Sequence, residues 1–97
     1  MATMEEIKWV NELVKSEMFY KGSTAKTAID NVFADFDGSQ PADLKEKVIK
    51  HTRFRLKVTL QSATKRLVIA TNDGEWDKVK SLNKQIEFHT DCLIELD

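Results

Sequence analysis

Apolar positions in the first twenty residues recur at Met4, Ile7, Val10, Val14 and Met18, steps of three and four that gather them on one side of a helix. Trp9, Leu13 and Tyr20 widen that side. Gly22 can take the left-handed conformation that closes a helix, and Ser23 or Thr24 can cap the next. A second amphipathic stretch follows at Ala25, Ala28, Ile29, Val32, Phe33 and Phe36, and Gly38 stops it. Ser39 or Gln40 then caps a third helix with Pro41 in its first turn, where a missing N–H is no loss, and Asp43 near the positive end of the dipole.

From Pro41 to Thr71 there is no Gly, Asn or second Pro, while Ile49, Thr52, Leu56, Leu60, Ala63, Leu67 and Ala70 keep helical spacing. A competing pattern runs through Phe54, Leu56, Val58 and Leu60, which alternate with polar residues as in a strand paired to Lys65–Thr71. The intervening Gln61-Ser62-Ala63-Thr64 lacks strong hairpin residues, so one long helix is the expectation. An unbroken helix of about 31 residues is about 46 Å long at 1.5 Å per residue, longer than a compact chain of this size. Asn72-Asp73-Gly74 ends it, and Val79, Leu82, Ile86, His89, Leu93 and Leu96 step down a final helix. The short break folds the two long helices into an antiparallel hairpin, with Trp76 expected to cover the join.

The expected fold is therefore all-α: four helices near 3–20, 24–37, 40–72 and 75–96, in one helical domain spanning 1–97. With 97 residues the chain has length for one core, and 3 Gly with 1 Pro are too few for the many tight turns of a β-sandwich or barrel. A single cysteine, Cys92, cannot form an internal disulfide, and Met1 to Lys15 do not resemble a secretory leader. The longest uncharged apolar run, Leu67–Ala70, is far below the roughly 20 residues that cross a bilayer. A soluble cytoplasmic protein without membrane contact is expected.

The net charge of −1 hides a segregated pattern. Between Leu44 and Arg66 lie eight Lys and Arg against Glu46 alone, a local +7, which leaves −8 for the rest. Lys47, Lys50, Arg53, Lys57 and Lys65 fall opposite the apolar stripe of the 41–71 helix. Such a ridge can follow a nucleic-acid backbone, meet an acidic protein, or be neutralised by the chain's own acidic helices. Phe54 and Val58 sit on the basic side, and Val68 and Ile69 also lie off the stripe. A helix with apolar residues on two sides must bury both, which points to self-association, most often as a two-fold dimer.

Candidate chemistry is sparse. Asp35, Asp37, Ser39, Asp43 and Glu46 occupy positions 1, 3, 5, 9 and 12 of an EF-hand-like window, with acids and a hydroxyl suited to calcium. Gln40 stands where the sharp turn needs Gly and Pro41 follows it, so a capped helix start explains the same residues. His89 and Cys92, three apart, are the minimum of a thiolate–base pair, but no orienting group or oxyanion loop accompanies them. His51 is the only other histidine, too few ligands for an ordinary zinc site, and Gly22, Gly38 and Gly74 form no phosphate-cradling cluster.

No enzyme, metal site or cofactor is expected. The leading reading is a non-enzymatic adaptor or inhibitor that offers a helical surface to a protein partner, as a homodimer. Its partner-binding candidates are Phe54, Val58, Lys47, Lys50, Arg53 and Lys57. The alternative is a small nucleic-acid-binding protein using the same basic face, with calcium binding at 35–46 ranked third.

Overall fold

The computed structural model describes residues 1–36 and 38–96 and shows the all-α architecture with four helices: α1 (Met4–Lys21), α2 (Ala25–Ala34), α3 (Leu44–Asn72) and α4 (Trp76–Leu96). Among the described residues there is no strand, so the alternation at Phe54–Leu60 is accommodated within α3.

Local chemistry sets the boundaries. Thr3 and Glu6 form a reciprocal capping box: the Thr3 hydroxyl accepts from the Glu6 N–H (3.2 Å) and the Glu6 carboxylate accepts from the Thr3 N–H (2.9 Å). Gly22, at φ +65°, closes α1, and Thr24 caps α2 through the Thr27 N–H. α3 ends in a Schellman motif, in which the Glu75 N–H bonds the Ala70 carbonyl and the Gly74 N–H bonds the Thr71 carbonyl.

Three boundary expectations are corrected. α2 stops at Ala34 rather than near 37, because the Asp35 and Phe36 N–H groups tighten onto the carbonyls of Val32 and Phe33. Phe36 then leaves the helix and stacks on Trp9, with centroids 5.9 Å apart and planes 7° from parallel. α3 begins at Leu44 rather than near 40, so Pro41 lies ahead of its first turn. Asp43 is the N-cap residue but makes no side-chain cap, since its carboxylate accepts from the Ala2 N–H (3.0 and 3.3 Å). Trp76 does not cover the hairpin join either, being 64% exposed.

Helices α1 and α3 run parallel in one register. Asp43 meets Ala2 and Thr52 meets Asn11, both across 41 residues. α1 therefore runs out beside Leu60 to Ala63, and α3 continues for about ten residues with only α4 beside it. The core follows this division. Ile7, Val10 and Val14 of α1, Ala28, Ile29 and Val32 of α2, and Leu44 and Val48 of α3 form the main cluster. Ala25, Leu56 and Cys92 form a second at the level where α4 joins. Ala63, Ala70 and Leu82, flanked by Leu67, Val79 and Ile86, form a third from α3 and α4 alone.

The result is a four-helix head and a two-helix antiparallel stalk, measuring 52 × 23 × 21 Å. The radius of gyration, 15.4 Å, exceeds the about 12.5 Å of a compact domain of this length. The long helix is accommodated by projection, not by a break.

Candidate interaction surfaces

The 29 residues of α3 make two apolar stripes on opposite sides. The inner one comprises Thr52, Leu56, Ala63 and Ala70, all buried, with Leu60 and Leu67 half-buried. Toward the head it rotates to Leu44 and Val48, leaving Ile49 half-buried, because α1 and α2 approach from another side than α4. The outer stripe runs Phe54, Val58, Gln61, Lys65, Val68 and Asn72, alternating steps of four and three, with Ile69 at its edge. Phe54 (63% exposed), Val58 (46%), Val68 (56%) and Ile69 (60%) all face outward. The first two helices cover none of these four.

Between α3 and α4 on the stalk, Ile69, Ala70 and Leu82 floor an open groove of about 400 Å³ rimmed by Arg66, Lys78 and Gln85. Phe19 and Tyr20, edge to face at 5.1 Å, stand exposed at the end of α1, where the head gives way to the stalk. The sequence pattern assigns Tyr20 to the apolar face of α1 and gives no role to Phe19. Only the length of α3 relative to α1 identifies this shoulder as unpartnered.

The exposed area totals 6666 Å². A compact protein of 11.1 kDa exposes about 5,700 Å² by the usual scaling with mass. The excess of about 1,000 Å² accompanies the elongated shape of 52 × 23 × 21 Å.

The basic candidates divide by partner. Lys45 reaches Asp30 of α2 at 3.1 Å, while Lys50 lies 3.9 Å from Glu46 on its own helix. Lys47 and Lys57 are exposed and make no ion pair among the described residues. Arg53 is half-buried, on the same flank of α3 as Lys50 and Lys57. Neutralisation by a neighbouring helix thus operates at Lys45, and no such pair forms at Lys47 or Lys57 among the described residues.

A second basic cluster appears only in three dimensions. Lys8, Asn11, Glu12 and Lys15 of α1 and His51 and Arg55 of α3 line a depression of about 170 Å³. It adjoins another of about 220 Å³ over Val14, Met18, Leu56 and Thr59, with Asn11, Lys15 and Arg55 common to both. His51 is held below its ordinary histidine range by burial first, then by Arg55, Lys8 and Lys15.

The remaining candidates are built into the structure. Cys92 is fully buried against Ala25 and Leu56, and burial pushes its thiol up, opposed only in part by a backbone hydrogen bond from Ala25. His89 Nδ1 lies 2.6 Å from the Gln85 carbonyl oxygen. In the acidic window Asp37 lies outside the described residues, Asp43 holds Ala2 and Glu46 faces Lys50. Among the described residues no three His, Cys, Asp or Glu side chains gather as a metal site, and no helix is long and apolar enough to cross a membrane.

Comparison with known protein families, curated proteins and solved structures finds no significant match.

Proposed function

We propose that this protein is a non-enzymatic interaction module that self-associates through its α3–α4 stalk and presents the assembled helices to a protein partner. The carrying observation is the surplus exposed area. About 1,000 Å² beyond the compact value is of the size that one partner buries in an ordinary stable interface, about 800 Å². Val68 and Ile69 lie exposed on the stalk itself, and Phe54 and Val58 continue the same outer stripe of α3 along the head. A two-helix stalk whose fully or nearly buried contacts are Ala63, Ala70 and Leu82 has a thin core, and pairing two stalks as a four-helix bundle thickens it. The cytoplasm is the proposed site of action, supported by the single buried thiol of Cys92.

Sedimentation equilibrium from micromolar to submillimolar concentration tests the dimer. Wild type is expected at twice 11.1 kDa, and Val68→Glu with Ile69→Glu at the monomer mass with its helical circular dichroism kept. A wild-type species at 11.1 kDa over the whole range refutes the proposal.

A second reading rests on Lys47 and Lys57, which are exposed and make no ion pair among the described residues. In it, Lys47, Lys50, Arg53 and Lys57 lie along nucleic-acid phosphates. Mobility shifts at low and moderate salt test it: salt-sensitive binding abolished by Lys50→Glu with Lys57→Glu supports this reading, and no shift at low salt removes it.

A further inference from the structure

The cleft between α1 and α3 begins with two unremarkable spacings. Lys8, Glu12 and Lys15 fall at i, i+4 and i+7 on α1, and His51 and Arg55 at i and i+4 on α3. The parallel register of 41 residues interleaves them, since His51 and Arg55 stand at the levels of Val10 and Val14, between Lys8 and Lys15. Their side chains converge on the depression of about 170 Å³, next to the buried Asn11 carboxamide. Its wall carries three permanent cations against one carboxylate, Glu12.

That carboxylate does not neutralise the site. Glu12 meets Lys15 at 3.5 Å with both side chains at least half exposed, a weak pairing in water. Lys8 and Arg55 make no ion pair among the described residues. Three cations from two helices are thus gathered against a single weakly paired carboxylate, an excess of positive charge that an anion relieves. The adjoining depression over Val14, Met18, Leu56 and Thr59 is less polar and shares Lys15 and Arg55 with the first.

We propose that this cleft binds a small phosphate-bearing molecule, with the phosphate between Lys8, Lys15, His51 and Arg55 and the organic group over Val14, Met18 and Leu56. Arg55 offers a planar fork of donors at the junction, suited to two phosphate oxygens at once, and the lysines act as point charges. His51 adds a donor and a charge once protonated. The groups facing it are Lys8, Glu12 and Lys15 from α1 and Arg55 from α3, with Lys47 and Lys50 beside it on its own helix. A bound phosphate reverses the balance of that field, so binding strengthens on mild acidification and the imidazole titrates higher in the complex than in the free protein.

The test is two-dimensional NMR titration at low ionic strength with inorganic pyrophosphate, phenyl phosphate and a short single-stranded DNA as separate probes. Both phosphates are expected to shift Lys8, His51 and Arg55 saturably and raise the His51 pKa, and phenyl phosphate to shift Thr59 and Met18 as well. Arg55→Ala should weaken binding about tenfold, the scale of one charge-assisted hydrogen-bond donor. Glu12→Gln should tighten it, a gain that damage to the fold does not produce. Lys57→Ala, on the far flank of α3, should leave it unchanged. Absence of saturable shifts, or equal weakening by Lys57→Ala, overturns the site. Failure of phenyl phosphate to reach Thr59 and Met18 overturns the position of the organic group. Binding of the DNA with neither small phosphate bound transfers the basic residues to the nucleic-acid reading.

Discussion

The Thr52 hydroxyl donates to the Asn11 side-chain oxygen at 3.1 Å, and both residues are buried between α1 and α3. It is a buried side-chain pair across the seam, and its 41-residue separation matches that of Asp43 and Ala2. Sliding α1 by one turn would bury both groups without partners, so the pair fixes which turn of α1 faces which turn of α3.

Removing one member should therefore cost more than removing both. Asn11→Leu leaves the Thr52 hydroxyl without this partner and should lower unfolding free energy by about 1–3 kcal/mol. Asn11→Leu with Thr52→Val should cost less than the sum of the single changes. Urea denaturation of the four proteins checks this, and additive losses would show that the two groups are not coupled.

In the stalk, Ala63 has no exposed surface where α3 meets α4. Three added carbons there have nowhere to go but between the helices. Ala63→Leu should destabilise by about 1–3 kcal/mol, while Thr64→Leu, one residue on and exposed, should change stability little. Thermal melts followed by circular dichroism distinguish the two positions.

Cys92 should behave as a core residue toward thiol reagents. Its burial and raised pKa leave little thiolate and no access in the native state. Labelling with an aromatic disulfide should be slow in buffer and accelerate across the urea unfolding transition. Rapid stoichiometric labelling of the native protein would contradict the packing against Ala25 and Leu56.

Acid should destabilise the protein in part through His51. Its folded-state pKa lies below the ordinary 6.5, so the unfolded chain takes up this proton first as pH falls. The His51 contribution is thus fully favourable above the unfolded pKa and is lost as pH falls through it and on through the lower folded-state pKa. His51→Gln should flatten that part of the stability profile in denaturant titrations. An unchanged slope would show that burial and the charges of Arg55, Lys8 and Lys15 do not hold the imidazole down.

The four helices and the hairpin were legible because their information is local. Apolar spacing, Gly22, Thr24 and Asn72-Asp73-Gly74 act within one or two turns of themselves. The early end of α2 was not, since Phe36 continues the helical spacing in sequence but lies past a tightened last turn and stacks on Trp9, a partner that spacing does not locate. The inner stripe of α3 was right from Thr52 onward and misplaced before it: Leu44 and Val48 are buried by α1 and α2, which sequence spacing does not locate. Phe54 and Val58 could be identified as outward-facing because a single helix determines their direction. The cleft cations could not, because Lys8 and Lys15 meet His51 and Arg55 only through the register of two helices far apart in sequence.

The unbroken backbone of α3 has a mechanical consequence. One helix, closed by a Schellman motif at its far end and pinned to α1 at Asp43 and Thr52, belongs to head and stalk alike. No break in the helix separates them, so the far end of α3 lies about 15 Å beyond the shoulder of Phe19 and Tyr20, at ten residues of 1.5 Å each. Residue count along α3 thereby becomes a spacing: each turn added to or removed from the helix beyond Ala63 would move the Trp76 end about 5.4 Å relative to the head.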